Sequence, residues 1–232
     1  MRLNQYIALN TNLSRRAADK AISLKRVHVN NKVASLGQQI ADNDIVMLDS
    51  KVIVKINNKF DYKLIMLNKP VGYICSKNGQ GSKTIYDLLP IEYRKLNNIG
   101  RLDKDSSGLL LLTNDGNLHN KLMHPSFNKL KEYIVTLDKP LKIDDINKIN
   151  KGIKLPDGLS KLNIKSLINN NYLIRMTEGR NRQIRRTFKH IGYSVITLKR
   201  IKLANYELGS LAEGKYKELS SDSSGNSTTS LT

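Results

Sequence analysis

The 232-residue sequence predicts an α+β protein with two folded domains and a polar tail. Three observations carry that expectation. Segments of helical apolar period interleave with segments of strand pattern along the chain. A polar stretch without clear period, Ile56–Asp61, separates a short basic module from a longer patterned region. The final segment, Ser220–Thr232, is rich in Ser and Thr and nearly free of apolar residues, so it is expected to be disordered. The domains are therefore placed at residues 1–57 and 63–219, with a tail at 220–232.

In the first module Ser14 is a good N-cap for a helix that begins Arg15-Arg16. Ala17, Ala18, Ala21 and Ile22 fall on one face of that helix. Val27-His28-Val29 alternates as a strand, Asn30-Asn31-Lys32 supplies a turn, and Val33 resumes the apolar pattern. Gly37 marks another turn, and Asp42-Asn43-Asp44 precedes a strand over Ile45–Leu48. Two short helices and a small antiparallel sheet result, near the lower limit for an independent core.

The second domain opens with the buried-strand pattern Leu64–Leu67, broken by Asn68-Lys69-Pro70-Val71-Gly72. Thr84–Leu89 reads as a short helix ended by Pro90. The leucine run Leu109–Leu112 ends in the turn signal Asp115-Gly116 and reads as a buried strand with a polar loop at its entry. Asn117–His124 reads as a helix with Leu118, Leu122 and Met123 inward. Lys131–Leu137 is a strand on which Lys131, Tyr133 and Val135 share a face. Tyr172–Met176 is another strand. It leads through Gly179 into a helix whose buried stripe is Ile184, Phe188 and Ile191, with Gly192 just past its end.

Lys and Arg number 39 against 20 Asp and Glu, a formal net charge of +19, and the sequence pI is about 9.9. A polyanion is the expected partner, because Lys and Arg neutralise phosphates and release counterions. A membrane surface is the competing polyanion. No apolar stretch approaches the roughly 20 residues that span a bilayer, and Met1–Gln5 lacks a signal-peptide core. Cys75 is the single cysteine, which leaves no internal disulfide and no Cys-based metal cluster. His28, His119, His124 and His190 are scattered without metal-ligand spacing. The expectation is a soluble cytosolic monomer that binds RNA, with no metal and no membrane partner.

Three segments carry chemistry. Gly100-Arg101-Leu102-Asp103-Lys104 places a carboxylate between cations on a loop that enters the leucine strand. A carboxylate kept ionised by such neighbours can act as a nucleophile; the plain alternative is a loop Asp that caps or salt-bridges. Tyr133 reads either as a core aromatic or as a flat ring on which a base stacks. Arg182, Arg185 and Lys189 lie at i, i+3 and i+7, with Arg186 beside them. One reading is a solvated basic face. The other splits the cluster, so that one Arg pairs with a carboxylate and the rest hold phosphates.

Arg2–Ile7, Ser14–Asp19 and Val27–Lys32 resemble the alpha-L RNA-binding domain of ribosomal proteins and RNA-modifying enzymes. That resemblance implies RNA contact by Arg15, Arg16, Lys20, Lys25 and Arg26. Leu67-Asn68-Lys69-Pro70 with Gly72, Gly100–Asp103, Lys131-Glu132-Tyr133 and Glu178–Arg186 then appear in the order of the RsuA family of ribosomal RNA pseudouridine synthases. The chain resembles that family over about residues 2–219. The resemblance implies a mixed, mainly antiparallel sheet with flanking helices. It implies Asp103 as the catalytic aspartate, Tyr133 as the ring against the uracil, and Arg185 as the ion-pair partner of Asp103. Arg101 and Lys131 would help place RNA and base, and Arg182 and Arg186 would contact RNA.

Two departures from the family pattern stand out. Thr187 replaces the usual Met, and Leu211–Leu219 lacks the usual Pro before Gly214. Isomerising uridine involves no redox step and no energy input, so no cofactor is expected. Whether the carboxylate adds to the base or to the sugar stays open. The alternatives are a non-catalytic ribosomal RNA-binding or assembly protein and, more distantly, a nucleoside or base hydrolase, for which Asp105 is the nearby candidate second carboxylate.

Overall fold

The structure, a computed structural model, describes residues 1–54, 61–124 and 128–219. The expected disordered tail and most of the expected linker lie outside these residues. The chain divides into two compact units, Met1–Asp61 and the part from Tyr62 onward.

In the first unit α1 (Leu3–Asn10) and α2 (Arg15–Ser23) pack on a four-stranded antiparallel sheet. Its strands are β1 (Val27–Val29), β2 (Lys32–Val33), β3 (Val46–Leu48) and β4 (Lys51–Val52), in the order β2-β1-β3-β4. Ser14 caps α2 as predicted, its Oγ accepting from the Ala17 amide at 3.2 Å. Leu3, Ile7, Ala18, Ala21, Ile22, Val27 and Val46 form the core. Ala17 is only half-buried, and Ile45 lies outside the strand and is exposed.

The second unit is built on one nine-stranded sheet. Its strands are β5 (Leu64–Lys69), β6 (Asn97–Ile99), β7 (Ser107–Thr113), β8 (Lys131–Leu137), β11 (Asn163–Ser166), β12 (Asn171–Met176), β13 (Val195–Leu203), β14 (Tyr206–Glu207) and β15 (Tyr216–Leu219). The central path is β11-β12-β8-β13-β7-β5-β15, with β14 beside β13 and β6 beside β7. Every pair is antiparallel except β13 with β7. The protein is thus α+β with a mixed, mainly antiparallel sheet. A hairpin of β9 (Ile153–Leu155) and β10 (Gly158–Ser160) stands apart from the sheet.

The leucine run is β7, buried on both faces, and this explains its continuous apolar sequence. Leu109 and Leu111 face one core, Leu110 and Leu112 the other. Helices α3 (Gly116–Met123), α4 (Ile143–Lys151) and α5 (Gln183–His190) flank the sheet with two 3₁₀ turns at Ile85–Leu88 and Ile91–Lys95. Met123, expected inward, is 45% exposed. The helix ends at that residue. In α5 Ile184 and Phe188 are buried as expected, Ile191 is half-buried at the cap, and Gly192 follows at φ +83°.

Candidate active site

The site forms where one row of residues crosses five strands. Lys69 of β5 pairs with Gly108 of β7, Gly108 with Arg200 of β13, Arg200 with Tyr133 of β8, and Tyr133 with Ile174 of β12. Directly opposed residues in a sheet project from the same face. Lys69, Arg200 and Tyr133 therefore share a face. Gly108 is required in this row. Its φ is +103°, and a Cβ there would lie 2.2 Å from the Arg200 carbonyl oxygen.

The segment from Gly100 to Ser106 lies beside this row and carries Asp103. Gly100 adopts φ +73° at its start, a conformation glycine takes without strain. Lys69 is fully buried (0% exposed), and its ammonium donates to the carbonyls of Asp103 at 3.0 Å, Ser106 at 2.7 Å and Pro70 at 3.0 Å. Burial lowers its pKa, and the nearby carboxylates oppose that shift. The Gly72 amide donates to Lys104 O at 2.7 Å, and Cys75 Sγ meets the backbone of Leu102 at 3.4 Å. The Asn-Lys-Pro-Val-Gly segment is thus a clamp on the aspartate loop.

Asp103 keeps its carboxylate accessible, with a side chain 32% exposed. Its cationic neighbour is Arg182, with Nη1 at 3.6 Å from Oδ2. This corrects the expected pairing with Arg185. Arg185 instead donates from Nη2 to Asp105 O at 2.7 Å and from Nη1 to Val195 O at 2.8 Å, while Nε lies 3.2 Å from the Asp105 carboxylate. Asp105 also receives a bidentate pair from Arg182, at 2.9 and 2.8 Å. Hydrogen bonding by Arg182, with the charge of Arg185, holds the Asp105 carboxyl below its ordinary range. Asp105 sits two residues past Asp103 and intercepts the first arginines of α5. The sequence offered only its acidity and its proximity to Asp103.

The remaining arginines around the start of α5 find partners within the protein. Arg186 forms a bidentate pair with Asp157 at the tip of the β9–β10 hairpin, at 2.8 and 2.6 Å. Arg180 donates to the carbonyls of Asp157 and Leu159 in the same hairpin. The anions facing this cluster are the protein's own carboxylates. Among its cations, Arg182 and Lys189 are exposed. Thr187 is buried, bonded to Ser160 Oγ at 2.8 Å and to Gln183 O, while Gln183 Nε2 donates to Ser160 Oγ at 3.0 Å. The departure from Met belongs to this polar network.

Tyr133 is 8% exposed, and its hydroxyl has no partner among the described residues. Lys131, two residues earlier on the same face, donates to Thr177 O at 2.8 Å and so braces the turn before α5. Burial lowers its pKa, and the charge of Arg200 adds to that shift. Arg101 is exposed, with no hydrogen bond or ion pair to the described residues.

In the first unit Arg15, Arg16, Lys20, Lys25 and Arg26 are all exposed. Arg26 donates to the Asp49 carboxylate from Nε and Nη2, and Arg15 donates to Asn4 Oδ1 at 3.3 Å. Arg15 and Arg16 occupy the first turn of α2, where no acidic residue stands. Cations there oppose the helix dipole unless an anion joins them. Among the described residues no cluster of His, Cys, Asp or Glu could hold a metal, and no helix is long and apolar enough to cross a membrane.

Comparison with known proteins decides the family. Residues 63–190 match the sequence pattern of RNA pseudouridylate synthases, and residues 1–46 match the S4 domain. The chain belongs to the RNA pseudouridylate synthase family. It is 35% identical over 223 residues to the dual-specificity RNA pseudouridine synthase RluF of Escherichia coli K12, covering 96% of this chain and 76% of that protein. The ribosomal large subunit pseudouridine synthase B of Vibrio cholerae is 34% identical over 228 residues, 94% of this chain and 71% of its own length. The crystal structure of a pseudouridylate synthase superposes with a TM-score of 0.68 at 32% identity, covering 95% of this chain and 96% of that one. The synthase is therefore an enzyme, and the non-catalytic alternative is not favoured.

Proposed function

We propose that this synthase converts a uridine of ribosomal RNA to pseudouridine, with Asp103 as nucleophile and without a cofactor. The observation that carries the reading is the clamp on Asp103. A backbone fixed at Leu102, Asp103, Lys104 and Ser106 presents an accessible carboxylate beside Arg182 and the Tyr133 row. Fixing a reactive group before substrate arrives lowers the entropy lost at the transition state.

The uridine leaves its stack to reach this carboxylate. Its ring lies against Tyr133. The bond from C1′ to N1 breaks, and its electron pair stays with the base. The detached base turns, C5 bonds to C1′, the proton on C5 is lost, and N1 gains one. Asp103 adds covalently to the sugar or the base during this sequence and is released at its end. Atoms and charge balance without an oxidant or an added group. Arg182 steadies the carboxylate, and Arg185 holds its loop through Asp105. In the first unit the end of α2, with Arg15, Arg16 and Lys20, binds RNA phosphates.

Ribosomal RNA is favoured as substrate by the named activities of the relatives, and large-subunit RNA first among them. The test is pseudouridine mapping across ribosomal RNA from a strain lacking the gene, repeated after restoring either the natural protein or Asp103→Asn. One uridine should lose its modification and regain it only with the natural protein. Recovery with Asp103→Asn would remove Asp103 from the chemistry. An unchanged map would remove ribosomal RNA as substrate.

A further inference from the structure

Arg200 is the buried charge that the chemistry above leaves without a task. It is 3% exposed. Among the described residues, only Nε of its three nitrogens has a protein acceptor, Leu109 O at 2.8 Å. Nη2 is enclosed and has no partner among the described residues. A buried guanidinium with idle donors is costly unless a ligand completes it. The location says which ligand. Arg200 stands opposite Tyr133 on the adjacent strand and emerges on the same face. Its charge is felt at Lys131 on one side and at Cys75 on the other, and Cys75 touches Leu102, the residue before Asp103. The β7–β13 approach that sets Arg200 in this row is the one that requires Gly108.

We propose that the Arg200 guanidinium donates to O4 of the target uracil and stabilises the charge that gathers there before C5 bonds to C1′. This rests on the pseudouridine synthase reading and adds a catalytic residue to it. The choice of O4 follows from electron counting. If the carboxylate adds to C6, the pair from the C5–C6 double bond moves through C4 onto O4. If it takes the sugar instead, the pair from the C1′–N1 bond spreads onto O2 and, through C6 and C5, onto O4, so O4 is the oxygen charged on either route. Both routes place charge on O4, and both return it when C5 bonds to C1′. A positioned donor at developing oxyanion charge acts on the rate more than on binding.

The experiment compares natural enzyme and Arg200→Gln on a short target RNA carrying uridine, 4-thiouridine or 2-thiouridine at the reacting position. Single-turnover rates and RNA Kd are read separately, and thermal melting confirms folding. The expected loss on uridine is about 100-fold or more in rate, with Kd within about threefold. Sulfur accepts hydrogen bonds weakly, so the loss should shrink on 4-thiouridine and persist on 2-thiouridine. A rate within about threefold of the natural enzyme on uridine, or an equal loss on all three RNAs, overturns the proposal. Should Arg200→Gln fail to fold, the complex of Asp103→Asn with RNA carrying ¹⁸O at the target O4 decides it by infrared difference spectroscopy. A C4 carbonyl stretch lowered against free RNA supports the donor, and an unmoved stretch overturns it. Turnover by Asp103→Asn would instead count against the nucleophile and leave the Arg200 comparison intact.

Discussion

Lys69 holds the Asp103 loop through three carbonyls while itself fully enclosed. Each bond is charge-assisted, and a neutral replacement would leave three carbonyls without their donor. Lys69→Met should therefore lower stability by about 3 kcal/mol and reduce turnover, with urea unfolding and single-turnover rates as the checks. Arg185 acts at one remove, since its fork grips Asp105 O and Val195 O together. An ammonium cannot bridge both. Arg185→Lys should cut turnover by about tenfold or more while RNA Kd stays within about threefold. A larger change in Kd than in rate would assign Arg185 to RNA contact.

At the scale of elements, β7 and β13 meet through Gly108, where no side chain fits. Gly108→Ala should cost more than about 3 kcal/mol, since a positive φ and a backbone collision act together. Thermal melting checks this, and a loss under about 1 kcal/mol would contradict the close approach. The junction of the Asp103 loop with α5 carries a pH signature. The Asp105 carboxyl is held below its ordinary value by Arg182 and Arg185. A carboxyl lowered in the folded state stabilises fully above its unfolded pKa, about 3.9, and that contribution is lost as pH falls through the folded value. Urea midpoints measured from pH 6 downward should fall below about pH 4 more steeply for the natural protein than for Asp105→Asn. Parallel curves would show that the two arginines add nothing through Asp105.

For the whole molecule, the net charge of +19 is spread over both units but is free to meet RNA only in places. Arg26, Arg182 and Arg186 are engaged by Asp49, Asp105 and Asp157. Arg16, Lys20 and Arg101 are exposed without such partners among the described residues. Replacing Arg15 and Arg16 with Ala should weaken RNA binding and flatten the slope of log Kd against log salt by about one to two units. Turnover at saturating RNA should change less. An unaltered slope would return both residues to a solvated surface.

The sequence by itself determined the elements whose pattern is local. The cap at Ser14, the leucine strand, the alternating strand through Tyr133 and the Gly192 stop all follow from periodicity and turn chemistry, and the structure carries each of them. The order of short motifs also sufficed to indicate the family, because their spacing encodes loops bound to a shared scaffold. Only the tertiary structure decided who pairs with whom. Asp105 takes the arginine expected for Asp103, since an ion pair depends on distances set by the sheet. Lys69, Gly108, Arg200 and Tyr133 form one row although they come from four separated segments. Sheet register aligns them, and register arises from packing across strands that no local pattern records.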